Sequence, residues 1–339
     1  MNILGEKILD YNKIAKEALK SYSIKSKSMQ FIAQHDAAVY KIVVDKNENY
    51  CLRLHITDVL DYIQREKAGV NSELEWVASI ARDTDIIVPE PKKNIYGEYV
   101  TVIDGICCSL TKWLEGENNK FIMSLTSEAD IDEAEDKEEA ENQIKVMAKL
   151  HKHSSEWKIP PGFRRFSFDD NYISKAFAEL NDIKSGIYNK DNYAIIISAG
   201  KKAIDRMNKM EKNNMTWGLI HSDFSPFNFI VCEHNICPVD FADCGFGYYL
   251  YDIAGAFNFV APQKRKFFLD LYSNYFSLPD NYADLIETLI IAKWIKSLCF
   301  SFGRSQEEFS QDIDMFAKRE FGYYLNNEPF LFDKPAFFQ

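Results

Sequence analysis

The stretch GLIHSDFSPFNFIVCEHNICPVDFADCGFG, which begins at Gly218, carries polar side chains inside apolar, strand-like runs. Asp223, Asn228 and Asp240 supply the carboxylate and amide oxygens that Mg²⁺ binds, and this ion completes its octahedron with water and phosphate oxygens. Phosphoryl transfer also needs an aspartate that orients the attacking hydroxyl and receives its proton. The spacing HxDxxxxN, followed by VDF, therefore predicts a magnesium-dependent phosphoryl-transfer site.

The elements around these residues must hold them close together. IHSDFSPFNFIV has Ser, Pro and Asn at its centre, which predicts a loop between two short strands. CEHN predicts a hairpin turn, and ICPVDF predicts the strand that returns Asp240 to the side of the loop. Each of these polar residues, taken alone, fits a turn former or a strand-end cap better than a catalytic group. Their combination favours the catalytic interpretation.

Two parts of this stretch, HSDFSPFNFIV and PVDFADCGFGYYLYDIA, resemble the motifs of the aminoglycoside phosphotransferase, choline kinase and homoserine kinase type II family. The second part is most similar to the bacterial branch that includes the stress-response Ser/Thr kinase. The resemblance implies that Asp223 is the catalytic base and that Asn228 and Asp240 bind magnesium. It also implies that His221 braces the loop. Asp252 is similar to the family's aspartate that starts a helix and ties down the backbone of the catalytic loop, although a helix N-cap would look the same in sequence.

The N-terminal part of the chain has the alternating pattern of a small sheet. An amphipathic helix is predicted over Leu9–Ser21, and after it FIAQHDAAVYKIVVDKNENYCLRLHI predicts three strands joined by turns. QREKAGVNSELEWVASIARD has a helical pattern that VPEP stops. Two more strands are expected around Tyr99–Ile103 and Cys107–Trp113, which completes a sheet of five strands with one helix.

From LEGENNK onward nearly every segment has a helical pattern, apart from a short strand pair around Gly218–Asp240. The residues and the resemblance together predict an α+β, bilobal, protein-kinase-like fold. A small lobe with a five-stranded antiparallel sheet precedes a larger, mostly helical lobe. We place the nucleotide-binding small lobe at 1–110, the hinge at 111–116, and the helical lobe, with the catalytic loop and the acceptor site, at 117–339. The acidic segment 126–142 is interpreted as a solvated helix face or an insertion.

The resemblance extends to small-lobe residues that would bind a nucleotide. SELEWVASIARDTDIIVPEP is similar to the segment with the family's helix glutamate, which we place at Glu73, with Glu75 as the alternative. The strand that carries the family's phosphate-binding lysine reads YCLRLH, so Arg53 takes that place. We expect Arg53 to pair with Glu73 and to contact phosphate oxygens bidentately, rather than to extend into solvent. TKWLEG is similar to the linker that hydrogen-bonds adenine, which implies nucleotide contacts at Thr111 and Trp113, with a core position as the alternative for Trp113.

Composition limits the class of protein. The chain has 339 residues, of which 46% are hydrophobic, and a formal net charge of −11, which argues against a nucleic-acid-binding protein. The N-terminus MNILGEKILDYNK lacks the apolar run of a signal peptide, and no apolar stretch has the length of a bilayer span. We therefore expect no membrane association and a cytoplasmic location. The seven cysteines include no CxxC pair and fit reduced thiols better than a zinc site.

These observations predict an ATP- or GTP-dependent O-phosphotransferase that uses Mg²⁺ and transfers the γ-phosphoryl group to a hydroxyl of a small molecule. An aminoglycoside, an amino alcohol or a homoserine-like compound would fit. Acceptor contacts are expected in Lys293–Arg304 or in FRRFSFDDNY, where Asp169 and Asp170 would attract the amine of a cationic acceptor unless they only start a helix.

Two other functions stay open at this point. A Ser/Thr protein kinase is the alternative enzyme, although no activation-loop motif follows Asp240. A nucleotide-binding pseudokinase that serves as an interaction module is the alternative of another class, and Arg53 is its only support. A P-loop ATPase is excluded because the chain has no GxxxxGK[ST] motif.

Overall fold

A five-stranded antiparallel sheet forms the N-terminal part of the protein in the computed structural model. The structure describes residues 10–34, 37–45, 48–56, 62–118, 125, 134–182, 189–232, 235–301 and 306–334. The strands are β1 (Ser28–Gln34), β2 (Ala37–Val43), β3 (Asn49–His55), β4 (Val100–Ile103) and β5 (Ile106–Lys112). Their order is β1–β2–β3–β5–β4, and every neighbouring pair is antiparallel. The predicted five-stranded sheet is thereby confirmed.

One face of this sheet is covered by helix α1 (Tyr11–Ser21). The apolar side of the helix shares one buried cluster with Leu52 and Leu54 of β3. Because side chains alternate between the two faces of a strand, Arg53 lies on the opposite face, as the sequence predicts. The predicted amphipathic helix is confirmed over this range, and Leu9 lies outside the described residues.

Helix α2 (Lys67–Asp83) lies on that opposite face and follows a single 3₁₀ turn at Tyr62–Gln64. Val70 and Leu74 of α2 share a buried cluster with Cys107 of β5. This packing keeps α2 close to the sheet. It also buries Glu73, the residue before Leu74, on the same side of the sheet as Arg53.

The remaining elements are mostly helices. The helices are α3 (Ala134–Glu156), α4 (Asp170–Asn181), α5 (Lys190–Met207), α6 (Tyr249–Ala256), α7 (Pro262–Ser273), α8 (Tyr282–Ser301), α9 (Gln306–Lys318) and α10 (Glu320–Leu325). The strands are β6 (Glu117–Asn118), β7 (Phe166–Ser167), β8 (Trp217–Ile220), β9 (Phe229–Cys232), β10 (Asn235–Pro238) and β11 (Gly245–Tyr248), with 3₁₀ turns at Pro226–Asn228 and Phe241–Asp243. Residues 126–133 of the acidic segment and 233–234 of the expected hairpin turn lie outside the described residues. Within the described part of the chain, no helix has both the length and the apolar character that a membrane span requires.

Strand β11 is one of the elements that the sequence does not predict. It pairs antiparallel with β8 and parallel with β7, in the order β7–β11–β8. Its sequence, GFGY, contains two glycines, which lower strand propensity. Gly245 is needed for close packing here, because an added Cβ would lie 2.9 Å from the backbone carbonyl oxygen of Phe166 on β7. The tertiary contact therefore fixes a strand that local preference disfavours.

The chain divides into two compact units, and two later segments return to the first of them. The first unit comprises Met1–Glu117, Lys158–Arg165 and Cys237–Asp243. The return of Cys237–Asp243 is stabilised by an edge-to-face contact between the rings of Trp76 and Phe241, whose centroids are 5.6 Å apart. Chain order alone does not anticipate these returns, so the lobe boundaries predicted at 1–110, 111–116 and 117–339 stay predictions.

Candidate active site

The loop between β8 and β9 brings Asp223 and Asn228 together. Asn228 Nδ2 donates to Asp223 Oδ2 at 2.7 Å and to the Asp223 carbonyl oxygen at 3.0 Å. The 3₁₀ turn that begins at Pro226 places Asn228 where it can close this contact. Its amide nitrogen is engaged by Asp223, so its oxygen is the atom that can bind a cation. The Asp223 side chain is exposed.

A buried carboxylate fixes the backbone of this loop. Asp252 of α6 accepts the N–H of His221 on Oδ2 at 2.9 Å and the N–H of Ser222 on Oδ1 at 2.7 Å. His151 Nε2 lies 3.1 Å from the same Oδ2. Burial opposes ionisation of Asp252, but the hydrogen bond and charge of His151, with the charges of His221 and Lys293, outweigh it and lower the pKa of Asp252. Asp252 is therefore an ionised anchor.

The role that the sequence predicts for Asp252 is confirmed by these two backbone hydrogen bonds. The N-cap alternative is wrong, because Tyr248 is the N-cap of α6 and Asp252 lies within the first turn. His221 is almost fully buried, in agreement with its expected bracing role.

Side chains hold both the backbone N–H and the backbone carbonyl oxygen of Ser222. Its φ of 66° lies in the left-handed region, which is strained for a residue with a side chain. Its carbonyl oxygen accepts a hydrogen bond from Lys293 Nζ of α8 at 2.8 Å. The lysine reaches this oxygen past Gly255, where an added Cβ would lie 2.9 Å from Lys293 Cε. Lys293 and Asp252 thus form a clamp on the residue that precedes Asp223.

In the first unit, Arg53 forms an ion pair with Asp240. Arg53 Nη1 lies 3.0 Å from Asp240 Oδ1, and the arginine side chain is 17% exposed against 52% for the aspartate. Burial lowers the pKa of Arg53, but the charges of Asp240 and Glu73 more than offset this and raise it. Arg53 therefore stays charged. The alternative interpretation, in which the Arg53 side chain extends into solvent, is wrong.

Glu73 lies close enough to Arg53 for their charges to interact, but its nearest described cation is another arginine. Arg165 Nη1 lies 3.8 Å from Glu73 Oε2. Burial and the charges of Asp240 and Asp243 raise the pKa of Glu73, against the opposing charges of the two arginines. Arg53 therefore forms its direct ion pair with Asp240. The sequence predicts Glu73 as this partner, and the structure differs from that prediction. Within the described ranges, Glu73 Oε2 has no hydrogen-bond donor.

The segment that follows Asp240 is fixed by polar contacts within the first unit. Gln64 Nε2 donates to Asp243 Oδ1 and, at 3.3 Å, to the carbonyl oxygen of Ala242. Arg165 donates to the same carbonyl oxygen and, at 3.2 Å, to that of Gly69. Asp243 therefore supports this segment through its side chain.

The predicted linker residues lie at the end of β5. Thr111 is buried opposite Cys51 of β3. The N–H of Trp113 donates to the Asn49 carbonyl oxygen at 2.9 Å, and Lys41 Nζ lies 4.6 Å from the centroid of the Trp113 ring. The backbone N–H of Trp113 is therefore engaged within the sheet. The nucleotide contacts at both positions stay predictions.

Asp169 and Asp170 have the role of helix-starting residues. Asp169 is the N-cap of α4, and its side chain accepts the N–H of Tyr172 at 3.1 Å. Lys212 Nζ lies 3.8 Å from Asp169 and 3.5 Å from Asp170. The interpretation of these residues as a helix start is confirmed.

Comparison with known proteins places the chain in a family. The model of the phosphotransferase enzyme family matches residues 28–285. The chain belongs to this family. It is therefore a phosphotransferase, a small-molecule kinase of the aminoglycoside phosphotransferase type, as the sequence motifs predict. It is 21% identical over 254 residues to the amicoumacin kinase of Bacillus subtilis (strain 168), a match that covers 74% of this chain and 68% of the relative.

Solved structures are similar in fold over nearly the whole chain. An amicoumacin kinase in complex with AMP-PNP, Ca²⁺ and Ami has a TM-score of 0.73 at 16% identity, and the match covers 95% of each chain. A microcompartment-associated aminopropanol kinase has a TM-score of 0.71 at 22% identity and covers 94% of this chain and 99% of its own. An aminoglycoside phosphotransferase in complex with GDP and kanamycin has a TM-score of 0.65 at 12% identity, with 91% and 97% covered. These likenesses confirm the predicted α+β, protein-kinase-like fold.

The clamp on Ser222 gives a prediction for Lys293, which the sequence offered only as part of a stretch for acceptor binding. We expect Lys293→Met to lower kcat roughly 10- to 100-fold with little change in the KM for nucleotide. A hydrogen bond to a charged group contributes about 1.5–3 kcal/mol, which corresponds to that range in rate. Lys293→Arg should restore part of the rate, because it keeps the charge. Steady-state kinetics with any confirmed acceptor provide the measurement.

Lys201→Met, at an exposed position on α5, is the control for the loss of one lysine charge. A Lys293→Met enzyme with wild-type kcat would show that the hydrogen bond to the Ser222 carbonyl has no part in turnover.

Proposed function

We propose that the protein is an ATP- or GTP-dependent O-phosphotransferase that transfers a γ-phosphoryl group to a hydroxyl of a small molecule, with Asp223 as the catalytic base. The observation that carries this proposal is the exposed carboxylate of Asp223 on a loop whose backbone Asp252 fixes. A general base must reach the substrate hydroxyl while its own backbone stays in place. Asn228 engages Oδ2 of Asp223, which leaves Oδ1 to receive the hydroxyl proton.

Asn228 and Asp240 are the residues that we assign to magnesium. The free oxygen of Asn228 and the half-exposed carboxylate of Asp240 are hard oxygen donors, which suit this ion. Magnesium in kinases is held by one or two carboxylate or amide groups together with substrate phosphates, so two protein ligands suffice. When bound, the ion would offset the negative charge of the nucleotide phosphates.

The nucleotide is assigned to the small-lobe residues. Arg53 is half-buried, charged and paired with the proposed magnesium ligand Asp240, which supports a role at the phosphates. Glu73 adds a buried carboxylate that interacts with the charge of Arg53. Thr111 and Trp113 are assigned to the base by their resemblance to the family linker. The backbone N–H of Trp113 already donates to the Asn49 carbonyl oxygen. Trp113 would therefore contact the nucleotide base through its ring or its backbone carbonyl oxygen.

The acceptor that we favour is a small molecule with both a hydroxyl and an amine. Four matches support this choice: two are to amicoumacin kinases, one is to an aminopropanol kinase, and one is to a phosphotransferase bound to kanamycin. The net charge of −11 is compatible with a cationic acceptor. The acceptor would present its hydroxyl to Asp223.

The proposal is tested by a phosphoryl-transfer assay with ATP or GTP and Mg²⁺ against a panel of acceptors. The panel contains amicoumacin, several aminoglycosides, choline, homoserine and short amino alcohols, and the readout is the mass of the phosphorylated product. We expect at least one amino-hydroxyl compound to gain a phosphoryl group. Transfer only to protein substrates, or to no member of the panel, would contradict the proposed acceptor class.

The magnesium assignment gives its own prediction. Asn228→Ala and Asp240→Asn should each raise the Mg²⁺ concentration needed for half-maximal rate, roughly tenfold for the loss of one ligand worth about 1.4 kcal/mol. A magnesium titration at fixed nucleotide measures this, and calorimetry of nucleotide binding with and without Mg²⁺ gives a second readout. The exposed Asp205→Asn on α5 is the control. Turnover without any divalent cation, or an unchanged requirement in both variants, would refute the assignment.

A further inference from the structure

We propose that a cavity in the second unit, separate from the catalytic loop, binds a small amphipathic molecule, and that its occupation acts on the catalytic loop through His151. The cavity has a volume of about 430 Å³, within the range of small-molecule sites. It lies among the end of α5, the starts of α6 and α8, and the end of α7. Of the described residues that line it, none is Asp223 or Asn228.

The lining of the cavity indicates the class of ligand. Its walls combine aromatic and aliphatic side chains, among them Tyr248, Tyr249 and Phe276, with the uncharged polar residues Thr216, Ser277, Asn281 and Thr288. Its charged lining consists of two cations and two anions, Arg206, Lys209, Glu211 and Asp284, of which Arg206 is half-buried and the others are exposed. An apolar body would gain from burial against the aromatic walls. A rim without net charge favours a neutral or zwitterionic polar head over a strongly charged one.

Three aromatic residues of this cavity also contact His151 of α3. The hydroxyl of Tyr272 lies 2.7 Å from His151 Nδ1. The ring centroids of Tyr249 and Phe276 lie 4.9 Å and 6.5 Å from that of His151. A ligand that contacts these three side chains would therefore affect the position of the His151 imidazole. His151 is almost fully buried, so a displaced ring has little free space.

His151 passes this effect to the catalytic loop through one carboxylate. Its Nε2 lies 3.1 Å from Asp252 Oδ2, the oxygen that accepts the His221 N–H. The other oxygen of Asp252 accepts the Ser222 N–H at 2.7 Å. The chain of contacts from Tyr272 to the residue before Asp223 thus has no step longer than 3.1 Å between polar atoms. Such a contiguous buried network can transmit a shift between two sites.

Binding is tested with the neutral fluorophore prodan, which combines an apolar naphthalene body with polar ends. We expect saturable binding to the full-length protein and a loss of affinity of about tenfold or more in Ser277→Trp, which fills the cavity from its wall. Ser273→Trp is the control, because Ser273 is exposed on α7 and does not line the cavity. Leu285→Trp provides a second blocking variant, and thermal unfolding checks that each variant is folded. No saturable binding, or equal binding to both blocking variants and the control, would overturn the proposed site.

Coupling is tested by hydrogen exchange, which does not need a known acceptor. With prodan bound, we expect the His221 and Ser222 amides to exchange about fivefold or more slowly, at the lower end of common coupling energies. Tyr272→Phe removes the hydroxyl contact to His151, so it should bind prodan while losing most of this effect. Exchange at these amides that prodan leaves unchanged, or that changes equally in Tyr272→Phe, would refute the coupling.

The expected effect of the cavity ligand on turnover rests on the proposed function. The experiments distinguish a failure of the proposed function from a failure of the proposed cavity site. If the protein phosphorylates no acceptor in the absence of prodan, the proposed function is contradicted. The binding and hydrogen-exchange results would still show whether the cavity binds prodan and whether binding affects the catalytic loop. An active enzyme whose kcat is the same with and without prodan would show that the coupling does not reach catalysis.

Discussion

Asp223→Asn is expected to reduce phosphoryl transfer by roughly 10²–10⁴-fold, the usual contribution of general base catalysis. The amide cannot receive the proton of the acceptor hydroxyl, yet it has almost the same shape as the carboxylate. Its oxygen can still accept the hydrogen bond that Asn228 Nδ2 gives to position 223. Because the loop backbone is fixed by Asp252, the fold and the affinity for nucleotide should be kept.

The measurement is kcat with a confirmed acceptor, together with the nucleotide dissociation constant and the unfolding temperature. Asp280→Asn, an exchange at an exposed position between α7 and α8, controls for the loss of one surface charge. Turnover within a few-fold of the wild type would remove Asp223 from the role of base.

Arg53→Ala is expected to raise the KM for nucleotide by at least about tenfold, which corresponds to the loss of one charge-assisted contact of about 1.4 kcal/mol or more. The structure adds a second effect. Without Arg53, Asp240 loses its ion-pair partner and Glu73 loses one of the cations that favour its ionised form. The pKa of Glu73 should then rise further, and the unfolding temperature should fall.

Arg53→Lys should recover part of the nucleotide affinity, because it restores the charge without the bidentate geometry. Arg82→Ala is the matched control, since Arg82 lies on α2, is largely exposed and pairs with its neighbour Asp83. If Arg53→Ala binds nucleotide as the wild type does, the small-lobe alignment is wrong and Glu73 also loses its assigned role.

Local sequence patterns predict the strands and helices of the small sheet and the loop that carries Asp223 and Asn228. Strand alternation placed Arg53 opposite Leu52 and Leu54, and the burial of the two leucines against α1 confirms it. The loop that holds Asp223 and Asn228 was readable because both residues lie in one short polar break between apolar runs.

Contacts between distant parts of the chain were not predictable in this way. Lys293 reaches the Ser222 carbonyl from 71 residues away, and its signal in the sequence is a charge that, like Lys296, interrupts the apolar run Leu289–Cys299. The pairing of Arg53 with Asp240 was missed because we paired the arginine with the nearest candidate in chain order. Periodicity describes which face a side chain occupies, whereas the partner on that face depends on the tertiary fold.

The left-handed conformation of Ser222 also limits the order in which this sequence can change. A glycine at position 222 would adopt the same φ without strain, so it would reduce the need for the clamp from Lys293. The lysine could then vary, and after it Gly255, whose missing side chain makes room for the lysine stem. If Lys293 were replaced first, Ser222 would keep its strained left-handed conformation without the hydrogen bond from the lysine. Ser222→Gly should therefore act as a suppressor of Lys293→Met, and lineages that replaced the lysine are expected to have passed through glycine at 222 first.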